Sequence, residues 1–304
     1  MQISAILSDY DGTLCPTTSI GNQNENLIPA DLETVLWNIS EMIPICIISS
    51  KDFEFLHNKT RFASILSCVL GTETLVLSQH KNRKMLSLQT KSREYTTSDR
   101  ISECQEFGCI KNNYLSVDEY TLQRNSQILS QLAEEIASDF KEISIEHKFT
   151  TNKKILAGIT IDWRHKEDWK PFKTRLEPQL TKLIIESQRK VNNADSVERS
   201  NIYVQTYVTH PFVDIYATKC DKGIAYDCVI SEIQKITDGV KPNVMYLGDS
   251  ENDNPAFRKA DVSIGVRSDE RLNANLECSH MVKFDKLLGF LEKLQDDKFE
   301  FSGM

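Results

Sequence analysis

The sequence has no C-x-x-C pair, no apolar run that approaches a membrane span and no surplus of positive charge. Each absence closes a class of function. The eight cysteines, at positions 15, 46, 68, 104, 109, 220, 228 and 278, lack the spacing of a zinc site or a disulfide framework. Cys46 and Cys68 lie inside apolar runs and read as buried thiols, which suits a reducing cytoplasm. The missing apolar run speaks against a membrane protein. Residues 3–8 already read as a strand, so no cleavable leader is expected. A formal net charge of −8 argues against nucleic acid or an anionic membrane as partner. A negatively charged ligand would have to be drawn by local cations. No internal repeat is visible.

What is present is ordinary in bulk and informative in order. Hydrophobic residues make up 40% and charged residues 26% of 304 positions, which describes a soluble globular chain long enough for two domains. Residues 3–8 form a short apolar run broken by Asp11-Gly12, the pattern of a buried parallel strand ending in a loop. Residues 29–42 carry apolar side chains at helical spacing, and 43–48 read as a second buried strand ending in Ser49-Ser50. A helix is expected over 53–62 and a third strand over 68–70. This alternation implies a parallel sheet with helices on both faces. Residues 78–127 are polar. Beyond them come an expected helix over 128–140, a strand over 155–164, a helix over 171–190 and a strand over 202–209, with a loop near 192–200. That middle third reads as an α+β insertion. Strand–helix alternation returns with strands at 213–216, 243–247 and 262–264 and helices at 223–236, 254–259 and 283–294. The expected division is a core over 1–77, an inserted α+β domain over 78–210 and the rest of the core over 211–304.

Four groups of residues then fall at strand ends, where open α/β sheets bind ligands. Asp9-Tyr10-Asp11-Gly12-Thr13 closes the first strand. Asp9 can attack phosphorus, while Asp11 can protonate a leaving oxygen and then activate water. Gly12 lets backbone N–H groups approach a phosphate; a plain Asp-Gly turn is the alternative. Ser49, with Ser50 beside it, ends the second strand and can hold a phosphate oxygen or simply cap a helix. Lys222 precedes a helix and is either a neutralising cation or a solvated lysine. Gly248-Asp249-Ser250-Glu251-Asn252-Asp253 follows the strand at 243–247 and offers oxygen ligands of the kind Mg²⁺ takes, or an acidic helix cap.

In order and placement these groups resemble the haloacid dehalogenase superfamily of phosphotransferases. Asp9 and Asp11 match its first motif, Ser49 its second, Lys222 its third, and Asp249 with Asp253 its fourth. The resemblance implies a Rossmann-like parallel-sheet core with an inserted α+β cap of the larger (C2) type. It also implies Mg²⁺ held by the Asp9 carboxylate, the Asp11 carbonyl and Asp249, with Asp253 close by. The expected activity is hydrolysis of a small phosphorylated metabolite through an aspartyl-phosphate. Segment 146–148 followed by 159–164 looks like the cap of trehalose-6-phosphate phosphatases, although Asp162 and Trp163 stand where that pattern has His and Tyr. The motif at 248–253 is also similar to sucrose-phosphate and mannosyl-3-phosphoglycerate phosphatases. A phosphohexomutase of the same fold is a further alternative. Lys148 and Arg164 are candidates to contact substrate, and Trp163 either stacks on a sugar or packs in the cap core. His147 and His210 are expected to be structural. The cap is expected to hinge near 77–79 and 209–211, and the sequence leaves the oligomeric state open.

Overall fold

A computed structural model describes residues 1–16, 27–78, 110–152, 154–166, 168–192, 202–207, 211–268 and 275–303. The first strand, β1 (Ala5–Ser8), sits in the middle of an eight-stranded sheet. On one side of it lie β2 (Ile45–Ile48), β3 (Ile65–Cys68), β4 (Glu73–Leu77) and β5 (Ile110–Leu115). On the other lie β10 (Val244–Gly248), β11 (Val262–Arg267) and β12 (His280–Lys283). Pairing is parallel from β12 through β1 to β3, and antiparallel for β3–β4 and β4–β5.

Every side chain of β1, β2 and β10 is buried, which is why these strands read as unbroken apolar runs. Ile6 and Ile47 pack on one face with Leu36 and Ile39 of α1 (Ala30–Ser40) and Leu287 and Leu291 of α7 (Phe284–Asp296). Ala5, Leu7 and Cys46 pack on the other with Val229 of α5 (Lys222–Ile236) and Phe257 of α6 (Asn254–Phe257). The order of strands reverses between β1 and β10, so a crevice opens at their carboxyl ends.

A second, antiparallel sheet has the order β6-β7-β9-β8. Its strands are β6 (Ser144–Phe149), β7 (Leu156–Asp162), β8 (Tyr203–Thr206) and β9 (Phe212–Tyr216). Two helices, α3 (Glu119–Asp139) and α4 (Trp169–Asn192), pack on one face against Ile159, Ile161, Val213 and Ile215. Strand alternation therefore turns Glu146, Lys148, Thr160, Asp162 and Asp214 to the opposite face.

Several expectations move. The strand expected at 213–216 within the parallel sheet is β9, in the middle of the smaller sheet between β7 and β8. The polar stretch from 78 contains β5, which extends the larger sheet beside β4. The helix expected from 128 starts at Glu119, where the Asp118 carboxylate accepts a hydrogen bond from the Thr121 N–H at 2.9 Å. The third strand ends at Cys68, and Val69, Leu70 and Gly71 follow with φ of 48°, 52° and 88°. The helix expected over 53–62 is the single turn α2 (Phe53–Leu56). His210, nearly all of the loop expected over 192–200 and most of the second hinge segment lie outside the described residues.

Candidate active site

Asp9 follows β1 directly, and its N–H donates to the Leu247 carbonyl of β10 at 2.9 Å. That bond brings the first and last motifs side by side. The intervening Tyr10 is fully buried and packs edge-on to Phe55, with ring centroids 5.8 Å apart. Alternation about Tyr10 leaves Asp9 5% exposed and Asp11 half-buried. Gly12 has φ +83°, and a Cβ there would lie 2.1 Å from Asp249 Oδ2. Glycine is thus required both for the turn and for the approach of the acidic loop.

Lys222 opens α5, whose N-cap Asp221 accepts from the Ile224 N–H at 2.8 Å. Its ammonium lies 2.9 Å from Asp9 Oδ1 and 2.6 Å from Asp253 Oδ1. Asp253 is completely buried and fully engaged. Tyr246 donates to Oδ1 at 2.7 Å, and the N–H groups of Asp249 and Ser250 donate to Oδ2 at 3.1 Å each. Asp253 therefore holds Lys222 and the loop carrying Asp249. Tyr246 went unremarked in the sequence because a tyrosine inside an apolar strand looks like core.

Asp9, Asp249 and Asp253 can each direct an oxygen to one place, all within 4.8 Å of one another. Burial pushes the Asp9 carboxyl well above its ordinary range, against the pull of Lys222, with Asp253 and Asp249 adding to the rise. Burial alone would lower the Lys222 ammonium, but Asp253 and Asp9 hold it above its ordinary value. Three buried carboxylates exceed what one ammonium neutralises, and their hard oxygens suit a divalent cation such as Mg²⁺. The residues present fit that ion.

Ser49 is buried, and its hydroxyl accepts from the Lys51 N–H at 3.1 Å. Its own N–H is taken by the Ser67 carbonyl at 3.0 Å. The helix that follows is capped by Asp52, whose Oδ1 accepts from the Phe55 N–H at 3.1 Å. Ser50 lies half-buried next to it.

The cap residues separate. Lys148 is 1% exposed, with its ammonium 3.1 Å from Asp214 Oδ1, and Asp214 is also bonded by Thr160 and by the Tyr207 hydroxyl at 2.8 Å. Its neighbours in the sheet claim Lys148, so in this structure it reaches a carboxylate and not open space. Arg164 is half-exposed and paired with Asp162 at 2.5 Å. Trp163 is fully buried against Phe172 in the cap core and is not a stacking surface. His147 stacks on Phe149, on the face that packs against α3. Glu146 and Lys51, neither singled out by the sequence, form an ion pair from cap to core at 2.8 Å.

The family model for haloacid dehalogenase-like hydrolases matches residues 6–274. No curated protein matches the chain by sequence. Among solved structures, the chain is similar to a trehalose-6-phosphate phosphatase related protein, at 20% identity and TM-score 0.53, over 97% of this chain and all of that one. It is similar to a haloacid dehalogenase-like hydrolase from Bacteroides thetaiotaomicron, at 15% identity and TM-score 0.56, over 96% and 100%. It also resembles the C-terminal domain of the trehalose-6-phosphate phosphatase of C. albicans, at 14% identity and TM-score 0.57, over 97% and 92%. At these identities the likeness concerns the fold.

Proposed function

The chain belongs to the haloacid dehalogenase-like hydrolases, and from that premise we propose that it is a Mg²⁺-dependent phosphatase of a small, sugar-like phosphomonoester. The observation that supports this most is the shared ion pair: buried Lys222 joins Asp9 to Asp253, with Asp249 alongside, beyond the strand ends. Asp9 attacks phosphorus, the bond to the leaving oxygen breaks, and Asp11 gives that oxygen its proton. Water then attacks the aspartyl-phosphate, passes a proton to Asp11 and releases inorganic phosphate. Lys222 holds Asp9 in line and offsets the charge that builds on the phosphoryl oxygens. Ser49, Ser50 and the N–H groups about Gly12 hold those oxygens. Asp9, Asp249 and the Asp11 carbonyl hold the metal, and Asp253 keeps Lys222 and the Asp249 loop in place. When bound, Mg²⁺ supplies charge neutralisation between the nucleophile and the phosphoryl group.

The smaller sheet, over about residues 116–216, acts as the cap that excludes water before the first step and reopens for the second. Sheet membership supports hinges near 116–118 and 217–221 in place of 77–79 and 209–211. Arg164, half-exposed, is the cap residue we assign to substrate. Lys148 is committed to Asp214 within the cap sheet and is not assigned to substrate. Among the described residues the cysteines are free and mostly buried, which suits a reducing cytoplasm. Sugar-like substrates are suggested by likeness to trehalose-6-phosphate phosphatase folds. Trehalose-6-phosphate, sucrose-6-phosphate and mannosyl-3-phosphoglycerate, each incubated with Mg²⁺ and assayed for free phosphate, test the reading. Release from at least one is expected. Interconversion of hexose 1- and 6-phosphates with no release would overturn the hydrolase in favour of a mutase.

A further inference from the structure

Lys51 stands two residues beyond Ser49 and is held at every point. Its N–H donates to the Ser49 hydroxyl at 3.1 Å, and its carbonyl accepts from the Val69 N–H at 3.0 Å. The Leu70 N–H donates to the Ser49 carbonyl at 2.9 Å. Val69 and Leu70 make these bonds from left-handed backbone, with φ of 48° and 52°. A β-branched residue is rarely found there, and such strain persists only where the surroundings impose it. The loop from Ser49 to Lys51 is therefore a fixed platform.

The Lys51 side chain is 15% exposed and offers its ammonium to both Glu146 oxygens at 2.8 Å. Glu146 projects from β6 on the face of the cap sheet turned to the core. The end of β6 and the turn after it make contacts nearer the hinge: the Phe149 N–H donates to Asp52 Oδ2 at 3.3 Å, and Thr151 donates to buried Glu73. Gly158 of β7 lies against the Val69 side chain, which would be 3.3 Å from a Cβ at that position. Asp11 and Arg164 both lie close enough for their charges to act on Lys51. The pair thus stands at the mouth of the site, earlier along β6 than the other contacts and farther from the hinge.

We propose that Lys51 is a positioning residue, a rigid cationic post on which Glu146 of the cap docks, so that cap closure is registered against the loop that carries Ser49. A long substrate, whose leaving group must be enclosed by the cap, depends on this docking. A small aryl phosphate depends on it far less. The kinetic part rests on the phosphatase reading, whereas the docking itself does not.

The test uses Lys51→Met, Glu146→Gln and the double variant, with Lys154→Ala as control for the exposed Lys154–Glu54 contact. Amide hydrogen exchange is read on residues 49–52 and 144–149. Each single variant should speed exchange in both segments by about tenfold, with the double no faster than either single. Exchanging the charges, with Lys51→Glu and Glu146→Lys together, should restore protection. In kinetics, Glu146→Gln should lower kcat/KM for the sugar phosphate that the wild type hydrolyses by about tenfold. It should change p-nitrophenyl phosphate turnover less than about threefold, and Lys51→Arg should retain most of the wild-type rate. Unchanged exchange in the single variants, or a double variant equal to their sum, would overturn the docking post. Equal losses on the sugar and aryl phosphates would overturn its role in enclosing substrate. A wild type that hydrolyses no phosphomonoester would refute the phosphatase instead, with the exchange result still deciding the post.

Discussion

Among the described residues two lysines are almost completely withdrawn from water, one on a strand of the cap and one at the start of a core helix, and each meets a buried aspartate. Lys148 in the cap has one carboxylate, Asp214, whose remaining capacity is filled by Thr160 and Tyr207. Lys222 in the core is shared between Asp9 and Asp253, with Asp249 beside them. The consequence shows in the acids. Burial alone would raise the Asp214 carboxyl, yet Lys148 and the two hydroxyls hold it below its ordinary value. Asp9 rises, because burial and its acidic neighbours outweigh the single ammonium. A balanced buried pair is architecture, and an unbalanced one marks a place that waits for charge. The cap needs nothing further at Lys148, whereas the core cluster keeps an excess of negative charge that a cation would offset.

That contrast can be broken experimentally. The largest effect is expected from Asp9→Asn, which should cut phosphate release by at least ~10³-fold with circular dichroism unchanged. A variant that kept wild-type turnover of an aryl phosphate would remove the nucleophile assignment. Next, Lys222→Met strands two buried carboxylates and should cost about 3–5 kcal/mol in urea unfolding along with activity. Mg²⁺ should raise the melting temperature of the wild type, by an amount corresponding to ~2.7 kcal/mol at a hundred times its Kd, and EDTA should abolish turnover. A melting temperature indifferent to Mg²⁺ would count against the metal site. Lys148→Met should cost a similar ~3–5 kcal/mol, felt in the cap, while the folded protein keeps turning over p-nitrophenyl phosphate. Equal loss of aryl phosphate turnover in the two lysine variants would erase the distinction drawn between them.

The smallest effect concerns Glu73, buried at the seam between the sheets. Burial raises its carboxyl above the ordinary 4.5, ahead of the hydrogen bonds from Asn113 and Thr151 that lower it. A carboxyl raised in the folded state favours folding most below pH 4.5, and that contribution fades as pH climbs through the folded value. Glu73→Gln should therefore gain on the wild type as pH rises through that window, by at most about 1.4 kcal/mol per unit. Urea midpoints of the two proteins across pH 4 to 7 would show it. A constant difference would mean that Glu73 does not titrate abnormally.

Much of the core was legible because its signals are local. Asp9, Ser49, Lys222 and Asp249 each follow or face the end of an apolar run, and those runs are buried strands whose carboxyl ends share one crevice. The order of the runs along the chain was enough to bring these residues together. The cap was less legible. Residues 213–216 alternate in a way that suits either sheet, and nothing within a five-residue strand states which partner it will take. Lys148 looked like a free cation because Asp214, 66 residues away in sequence, gives no local sign of the pairing.

From its own sequence, then, this protein determined the family of its fold, the buried strands and the acids and lysine at their ends, since hydrophobic periodicity and turn chemistry act within a few residues. The tertiary structure alone decided that β9 belongs to the cap, that Lys148 is spent on Asp214, that Trp163 lies in the cap core and that Glu146 docks on Lys51. Those outcomes depend on which faces meet across long sequence separations, where burial and charge pairing choose among partners that local pattern leaves equivalent.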